Sequence, residues 1–196
     1  MDIPVEAVKE LRTRTGAGVM DCRRALAEAR GDMAVAVALL REKALAEAAK
    51  RADREARDGR IEVYVHPGNR VAAMVELNCE TDFVARTEGF IRLAHDLAMQ
   101  VTAANPRFLS PVDVPPEVLE EERASYRSQA AGNKPPHIVE RIVEGKLRKF
   151  YEETCLLEQP FIRDPERKVR ELVTEVAAQV GENVVVRRFA RFELGS

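Results

Sequence analysis

Cysteine and histidine are the side chains of this 196-residue chain best suited to bind a metal or attack a substrate. The three cysteines are Cys22, Cys79 and Cys155, and the three histidines are His66, His95 and His137. The cysteines are far apart and form no CxxC pair, whereas a zinc site needs four ligands at close, paired spacings. We therefore predict three buried, unpaired thiols and neither a metal nor another cofactor. A cysteine nucleophile with a distant histidine base stays an alternative.

Known enzyme signatures are also missing from the sequence. It contains no P-loop, no GxGxxG and no GxSxG, and the turn Gly16-Ala17-Gly18 is too short to cradle a phosphate. Acidic residues are spread along the chain, and no two stand out as a general acid and base. We predict that the chain is not an enzyme and acts by binding. A small enzyme whose groups converge from distant positions is the alternative.

The segment Thr81-Asp82-Phe83-Val84 places a large aromatic beside an acid where a strand passes into a helix. One interpretation is local: Thr81 or Asp82 caps the helix, and Phe83 packs back on it as a hydrophobic staple. The other is that Phe83 projects from a rigid corner and anchors a partner protein, as aromatic residues do at binding hot spots. The residues alone favour the local interpretation.

A second unusual segment runs from Thr15 to Asp21, where Val19 and Met20 follow a glycine turn. Methionine adapts to irregular contacts and is frequent at binding surfaces, but packing in the core is its more common role. The residues therefore favour core packing for this pair, with an exposed binding surface as the alternative.

The charge balance argues against nucleic acid and membrane partners. With 31 Lys and Arg against 33 Asp and Glu, the net charge is −2, which lacks the basic excess that neutralises phosphates. The positive charge of Arg187, Arg188 and Arg191 is offset by nearby acidic residues. No apolar run reaches the ~18 residues of a membrane helix, and the first residues resemble no signal peptide. We expect a cytoplasmic protein without direct nucleic-acid or membrane contact.

Three short helices are predicted before residue 53. Glycine turns at 15–18 and at Gly31 separate them, and Asp32 is placed to cap the third. Their expected inward residues are Val5, Ala7, Val8, Leu11, Met20, Ala25, Leu26, Ala29, Val35, Ala38, Leu39 and Leu45. A charged helical linker is expected from Ala44 to Asp58.

The rest of the chain predicts a core of strands and helices. Ile61, Val63 and Val65 alternate with polar residues, a turn follows at 67–70, and residues 71–79 alternate back as a partner strand. Helices are expected at about 90–101, 117–129, 137–151 and 169–180, a loop at 160–165 and a last strand at 183–194. The predicted fold class is α+β: a small N-terminal three-helix domain, and a three-stranded antiparallel sheet packed with helices on one face.

Both unusual segments coincide with motifs of a known family. The stretch from Leu11 to Cys22, Leu-Arg-Thr-Arg-Thr-Gly-Ala-Gly-Val-Met-Asp-Cys, resembles the N-terminal signature of bacterial translation elongation factor Ts. The stretch from Glu76 to Ala85 resembles that family's core motif, and the stretch from Leu156 to Phe161 resembles a third family segment. The three motifs stand in the family's order and span most of the chain.

The resemblance implies a non-enzymatic guanine-nucleotide exchange factor for the GTPase elongation factor Tu. It implies that the N-terminal helices, similar to a ubiquitin-associated domain, lean on the GTPase, and that the Phe83 loop enters it near nucleotide and magnesium. Phe83 would wedge between helices of the partner, and Asp82 would fix the loop. The residues that the resemblance places against the partner are Arg12, Val19, Met20, Arg23, Thr81, Asp82, Phe83 and Val84. A ubiquitin-associated interaction module is the alternative, and it leaves the loop unexplained.

The chain departs from longer members of that family, which carry two related core subdomains and a C-terminal helical module. Only one sheet-and-helix core is recognisable here, so we expect two chains to pair through their sheets as a homodimer. We expect an N-terminal docking domain with its linker helix at residues 1–53, and an α+β core and dimerisation domain at residues 54–196.

Overall fold

The structure is a computed structural model that describes residues 3–130, 132 and 135–195, without the side chains of Leu45 and Ala48. Its helices are α1 (Val5–Thr15), α2 (Val19–Glu28), α3 (Met33–Arg51), α4 (Asp82–Ala85), α5 (Glu88–Ala104), α6 (Pro116–Ala130), α7 (Pro136–Thr154) and α8 (Val169–Val180). Its strands are β1 (Asp58–Val65), β2 (Val71–Cys79), β3 (Pro160–Phe161), β4 (Asp164–Lys168) and β5 (Val185–Glu193). The three-stranded antiparallel sheet and its accompanying helices confirm the predicted α+β class.

The chain forms two compact units, each built from segments that are distant in sequence. The first comprises Met1–Arg60, Asn78–Leu93 and Val173–Val185, and the second comprises Ile61–Leu77, Ala94–Leu172 and Val186–Ser196. The first unit thus joins the N-terminal helices to the Phe83 segment and to the end of α8. The predicted division at residue 53 stays a prediction. Throughout the described residues, each helix is too short or too polar to cross a membrane.

Helices α1, α2 and α3 enclose a small apolar core in the first unit. Its buried residues are Ile3, Val8, Leu11, Cys22, Ala25, Leu26, Ala29, Ala36 and Leu40. Gly16 follows α1 with a left-handed φ of 68°, and the Asp32 side chain caps α3 by accepting hydrogen bonds from two backbone N–H groups. The predicted turn and cap are confirmed. Val5, one of the expected inward residues, is 62% exposed, whereas Ile3 is part of the buried core.

The inward face of α3 differs from the expected one. Ala36 and Leu40 are buried, whereas Val35 and Ala38 are exposed. Apolar residues surround the first half of this helix on every side, so hydrophobic periodicity could not select the face that packs. The expected inward side chain of Leu45 lies outside the described residues.

The helical linker is shorter than expected. Helix α3 ends at Arg51, and β1 already begins at Asp58. The side-chain amide of Asn183 donates hydrogen bonds to the carbonyl oxygens of Ala52 at 3.2 Å and Arg54 at 2.8 Å. Both carbonyl oxygens therefore receive a hydrogen bond from the side chain of Asn183, and they need no N–H donor from a further turn of helix.

The second unit contains most of the three-stranded sheet, whose order is β1-β2-β5. The backbone N–H of His66 donates to the carbonyl oxygen of Val71 at 2.9 Å and closes the predicted β1–β2 hairpin. Ala73, Val75 and Leu77 alternate along β2 and are buried, as predicted. The inner side of β2 is therefore a continuous apolar surface.

Strand β1 has the predicted alternation, but its apolar side is exposed rather than buried. Ile61, Val63 and Val65 are 59%, 54% and 49% exposed. Tyr64 points the other way and packs edge-on against His95 of α5, with ring centroids 5.6 Å apart. A period of two fixes which residues share a face but not which face meets a helix. The sheet therefore leaves an apolar face open.

A small hairpin replaces the loop expected at 160–165. Strands β3 and β4 pair antiparallel. The buried amide of Gln100 on α5 donates to the side-chain oxygen of Gln159 at 3.1 Å and to the carbonyl oxygen of Pro160 at 3.2 Å. It also accepts from the backbone N–H of Ile162 at 2.9 Å. This stabilisation comes from a residue some 60 positions earlier, which local sequence patterns do not reveal.

Candidate partner-binding surface

The segment that follows β2 forms a corner held by local hydrogen bonds. Thr81 has an extended backbone, with φ −132° and ψ 152°, and is the N-cap of the four-residue helix α4. Its side-chain oxygen accepts from the backbone N–H of Val84 at 3.4 Å. The thiol of Cys79 donates to the carbonyl oxygen of Thr81 at 3.1 Å. Between the two predicted caps, the structure thus selects Thr81 rather than Asp82.

Phe83 projects from this corner with 77% of its surface exposed. The staple interpretation is therefore wrong, because a staple residue packs on its own helix. Val84, in contrast, is 5% exposed and faces the interior. We correct its predicted role from a partner contact to a residue that secures the corner from within. An exposed aromatic ring on a fixed backbone has the properties of an interface anchor.

Asp82 lies beside Phe83 and forms an ion pair with Arg86. The Arg86 Nη2 atom is 2.6 Å from the Asp82 carboxylate, and the two side chains are 79% and 62% exposed. Exposed ion pairs of this kind contribute little to stability, so another hydrogen-bonding group can replace either partner. The corner thus presents, next to its exposed ring, a carboxylate that can leave Arg86 and bind another hydrogen-bonding group.

Val19 and Met20 form a second exposed apolar site at the start of α2. They are 50% and 70% exposed, so core packing is wrong for both. Cys22, in the same helical turn, enters the core instead. Arg12 on α1 and Arg23 on α2 are exposed as well. Methionine and arginine are both enriched at protein interfaces relative to the rest of the surface.

All of the predicted contact residues fall within the first unit. The turn that precedes Val19 lies against α8 there, because a Cβ added at Gly16 would come within 2.8 Å of the Gln179 side-chain nitrogen. Position 16 favours glycine because of its positive φ, whereas the Gln179 side chain is flexible and could move away from an added Cβ. The fold brings the end of α8 to the N-terminal turn.

Glu182, a half-buried residue that binds the backbone of the corner, was not predicted from the sequence. Its carboxylate accepts from the backbone N–H groups of Glu80 and Thr81, both at 3.0 Å, and from the Thr81 hydroxyl at 2.6 Å. Gly181 and Glu182 follow an amphipathic helix, a pattern that predicts only a helix end. The partners are more than 100 positions away in sequence, so no local signal could have found them.

The Cys79 thiol gives the corner a pH dependence. Burial, together with the negative charge of Glu182, raises the pKa of this thiol from 9.0 to about 11. Because the folded-state pKa is the higher one, the stabilisation is complete below pH 9 and is lost as the pH rises from 9 towards 11. We expect the unfolding free energy to fall by roughly 1–2 kcal/mol more in the native chain than in Cys79→Ala between about pH 8 and pH 10.5.

Urea unfolding of both proteins at the two pH values measures this difference. The Cys79→Ala chain keeps every other titrating group, so it serves as the matched control. An equal loss of stability in the two proteins would contradict the role given to the thiol.

The surface carries anchors and charges rather than reactive groups. Among the residues that the structure describes, no three His, Cys, Asp or Glu side chains are grouped to hold a metal ion. The three thiols are unpaired and buried, as predicted. Exposed Phe83 and Met20, each near ionic side chains, are suited to recognition of another protein.

Comparisons with known proteins agree with the motifs. A family model described as "Elongation factor TS" matches residues 18–196. A relative from Thermodesulfovibrio yellowstonii is 54% identical over 195 residues, which cover 100% of this chain and 98% of the relative. Relatives from Caldanaerobacter subterraneus and Herpetosiphon aurantiacus are each 56% identical, covering 98% and 100% of this chain and 97% and 100% of their own lengths. All three are named elongation factor Ts. The chain therefore belongs to the elongation factor Ts family.

Proposed function

We propose that this chain binds the GTPase elongation factor Tu in the cytoplasm and promotes release of its GDP during translation elongation. Membership of the elongation factor Ts family supports this role. The observation that carries it is Phe83, an aromatic side chain left 77% exposed on a corner whose backbone is fixed. A ring in such a place adds nothing to the chain's own core and is available to a partner's pocket.

The proposed mechanism is a linkage between two binding events. A protein that binds the nucleotide-free GTPase more tightly than the GDP-bound form must weaken GDP binding. The ratio by which the affinity for GDP falls equals the ratio of the protein's affinities for the two forms. Phe83 enters between helices of the GTPase, Asp82 fixes the loop by hydrogen bonding, and the magnesium and phosphate site is distorted. GDP then leaves faster, and GTP displaces the factor. The chain makes and breaks no covalent bond in this scheme.

A release assay tests the proposal. Elongation factor Tu is loaded with labelled GDP, and the chain is added in catalytic amounts together with excess unlabelled nucleotide. We expect GDP release to accelerate in proportion to the concentration of the chain. Binding without acceleration would favour an interaction module of the ubiquitin-associated type, and no effect on release would reject the exchange function.

Met20→Ala should weaken binding to nucleotide-free elongation factor Tu by about 10-fold, or ~1.4 kcal/mol, because we expect Met20 to belong to the minority of interface residues whose truncation costs more than ~1 kcal/mol. Titration calorimetry measures the affinity. The matched control is Val35→Ala, which shortens a 47% exposed residue of α3 outside the predicted contacts. An unchanged affinity in Met20→Ala would remove this residue from the interface.

The open face of the sheet supports a homodimer. Ile61, Val63 and Val65 of β1 are exposed on it, and Met74 of β2 and Phe192 of β5 are 41% and 69% exposed. Phe192 and Arg188 are four residues apart on β5, so their side chains lie on the same side of the strand. The Arg188 guanidinium is 2.6 Å from the Glu76 carboxylate of β2. Met74 and Glu76 likewise share a side of β2. The exposed apolar residues therefore lie on the same face of the sheet as the Arg188–Glu76 ion pair.

Contiguous apolar patches of this kind are unusual on a monomer and mark interfaces. Two identical faces can cover one another as stacked sheets about 10 Å apart. We expect sedimentation equilibrium to give twice the 22.0 kDa mass of the chain. A chain that sediments as a monomer and still promotes release at the full rate would contradict the homodimer.

A further inference from the structure

Glu182 fixes the backbone that leads directly to Phe83. Its Oε2 atom accepts from the N–H groups of Glu80 and Thr81, and its Oε1 atom accepts from the Thr81 hydroxyl. Hydrogen bonds to an ionised carboxylate are shorter and stronger than those between neutral groups. All three reach the two residues that precede Asp82 and Phe83, so they set the direction in which the corner points.

Glu80 completes the arrangement from the other side. Its Oε1 atom accepts from the backbone N–H of Asn183 at 2.7 Å and lies 3.6 Å from the Arg54 guanidinium. Each glutamate therefore binds the backbone next to the other glutamate. This crossed pairing restrains the corner and the end of α8 against each other, since movement of either segment breaks bonds at both carboxylates.

Asn183 connects the same arrangement to the N-terminal helices. Its side chain is buried and donates to the carbonyl oxygens of Ala52 and Arg54, just beyond the end of α3. The end of α3, the corner and the end of α8 therefore meet at one group of residues. We call this group, which consists of Glu80, Thr81, Glu182 and Asn183, the Glu182 cluster.

We propose that Glu182 is a positioning residue for nucleotide exchange. Through the Glu182 cluster it holds Phe83 at a fixed place relative to the N-terminal helices, of which α2 carries Met20. The Phe83 and Met20 side chains can then contact the same partner at the same time. Phe83 is too exposed to be oriented by packing, so its orientation comes from the backbone of residues 80–81. An anchor that is already oriented avoids the ordering cost of binding. The inference rests on the proposed exchange function.

The first measurement follows the corner itself. Hydrogen exchange of the full-length chain should show faster exchange at the Glu80 and Thr81 amides in Glu182→Ala, because those N–H groups lose their acceptor. Amides of α2 should be unchanged. Unchanged exchange at Glu80 and Thr81 would overturn the inference, because it would show that Glu182 does not hold the corner.

The second measurement is GDP release from elongation factor Tu, performed well below the melting temperature of each variant. Glu182→Ala should lower the second-order rate constant of release by about 10-fold, since small displacements of a positioning group can cost up to ~100-fold. Glu182→Gln should recover most of the rate, because its amide oxygen still accepts from both N–H groups. Glu121→Ala removes an exposed glutamate of α6 and is the control.

A double-mutant cycle with Phe83→Ala separates positioning from a general loss of structure. If Glu182 acts through Phe83, then Glu182→Ala should lower the rate less than about 2-fold once the ring is absent. An equal reduction in both backgrounds, or a full rate in Glu182→Ala, would overturn the inference. Should Glu182→Ala fail to fold, the same cycle is performed with Glu182→Gln. The smaller reduction in the release rate that Glu182→Gln causes must then be absent in the Phe83→Ala background. Failure of the unaltered chain to accelerate release would instead reject the exchange function itself.

Discussion

Phe83→Ala should slow the accelerated release of GDP by about 100-fold, which corresponds to ~2.7 kcal/mol and to the range of dominant interface anchors. The native ring is 77% exposed, so its removal opens no cavity in the chain's own core. The free energy of unfolding should therefore change by no more than about 0.5 kcal/mol. Labelled-GDP release and urea unfolding of the same protein sample measure the two quantities.

The combination of lost activity and retained stability distinguishes an anchor from a structural residue. Val112→Ala is the matched control, because Val112 is 92% exposed and lies in the 3₁₀ turn Pro111–Asp113, outside the predicted contacts. It should keep the full rate of release. Full activity in Phe83→Ala would show that the exposed ring is not the anchor, and the exchange function would then need another residue.

Val63→Glu should convert the proposed homodimer into a monomer. In the paired state the new carboxylate would be buried without a partner, and a cost of about 3 kcal/mol would raise the dissociation constant more than 100-fold. Val63 is 54% exposed in the single chain, so the monomer itself should lose no more than about 1 kcal/mol of stability. Sedimentation equilibrium measures the dissociation constant, and thermal unfolding reports on the monomer.

Val112→Glu places the same charge on a residue that is 92% exposed and lies outside the sheet. It should sediment as the native chain does. If Val63→Glu stays dimeric, the open sheet face is not the dimer interface. If it becomes monomeric and still promotes release at the full rate, pairing is not required for exchange.

Much of the fold followed from local patterns in the sequence. The glycine turn before α2, the Asp32 cap and the alternation along β2 each depend on residues within a few positions of one another. Such signals are complete in the sequence because the interactions that cause them are local. They predicted the helices, the hairpin and the α+β class.

The sequence predicted less well which faces of these elements pack. Residues 33–40 of α3 are apolar all around the helix, and the alternation in β1 is equally compatible with either side being buried. The choice depends on which neighbouring element offers a surface. Tyr64 meets His95 of α5, which leaves Val63 on the open side of the sheet.

For the candidate site, the sequence by itself determined two motifs and the residue types within them. Exposure of Phe83 and Met20, and burial of Val84, were decided only by the tertiary structure, since each depends on what packs around the segment. The role of Glu182 was likewise decided only by the tertiary structure. Its three hydrogen bonds join positions more than 100 residues apart, and such contacts arise only when the folded chain brings both segments together.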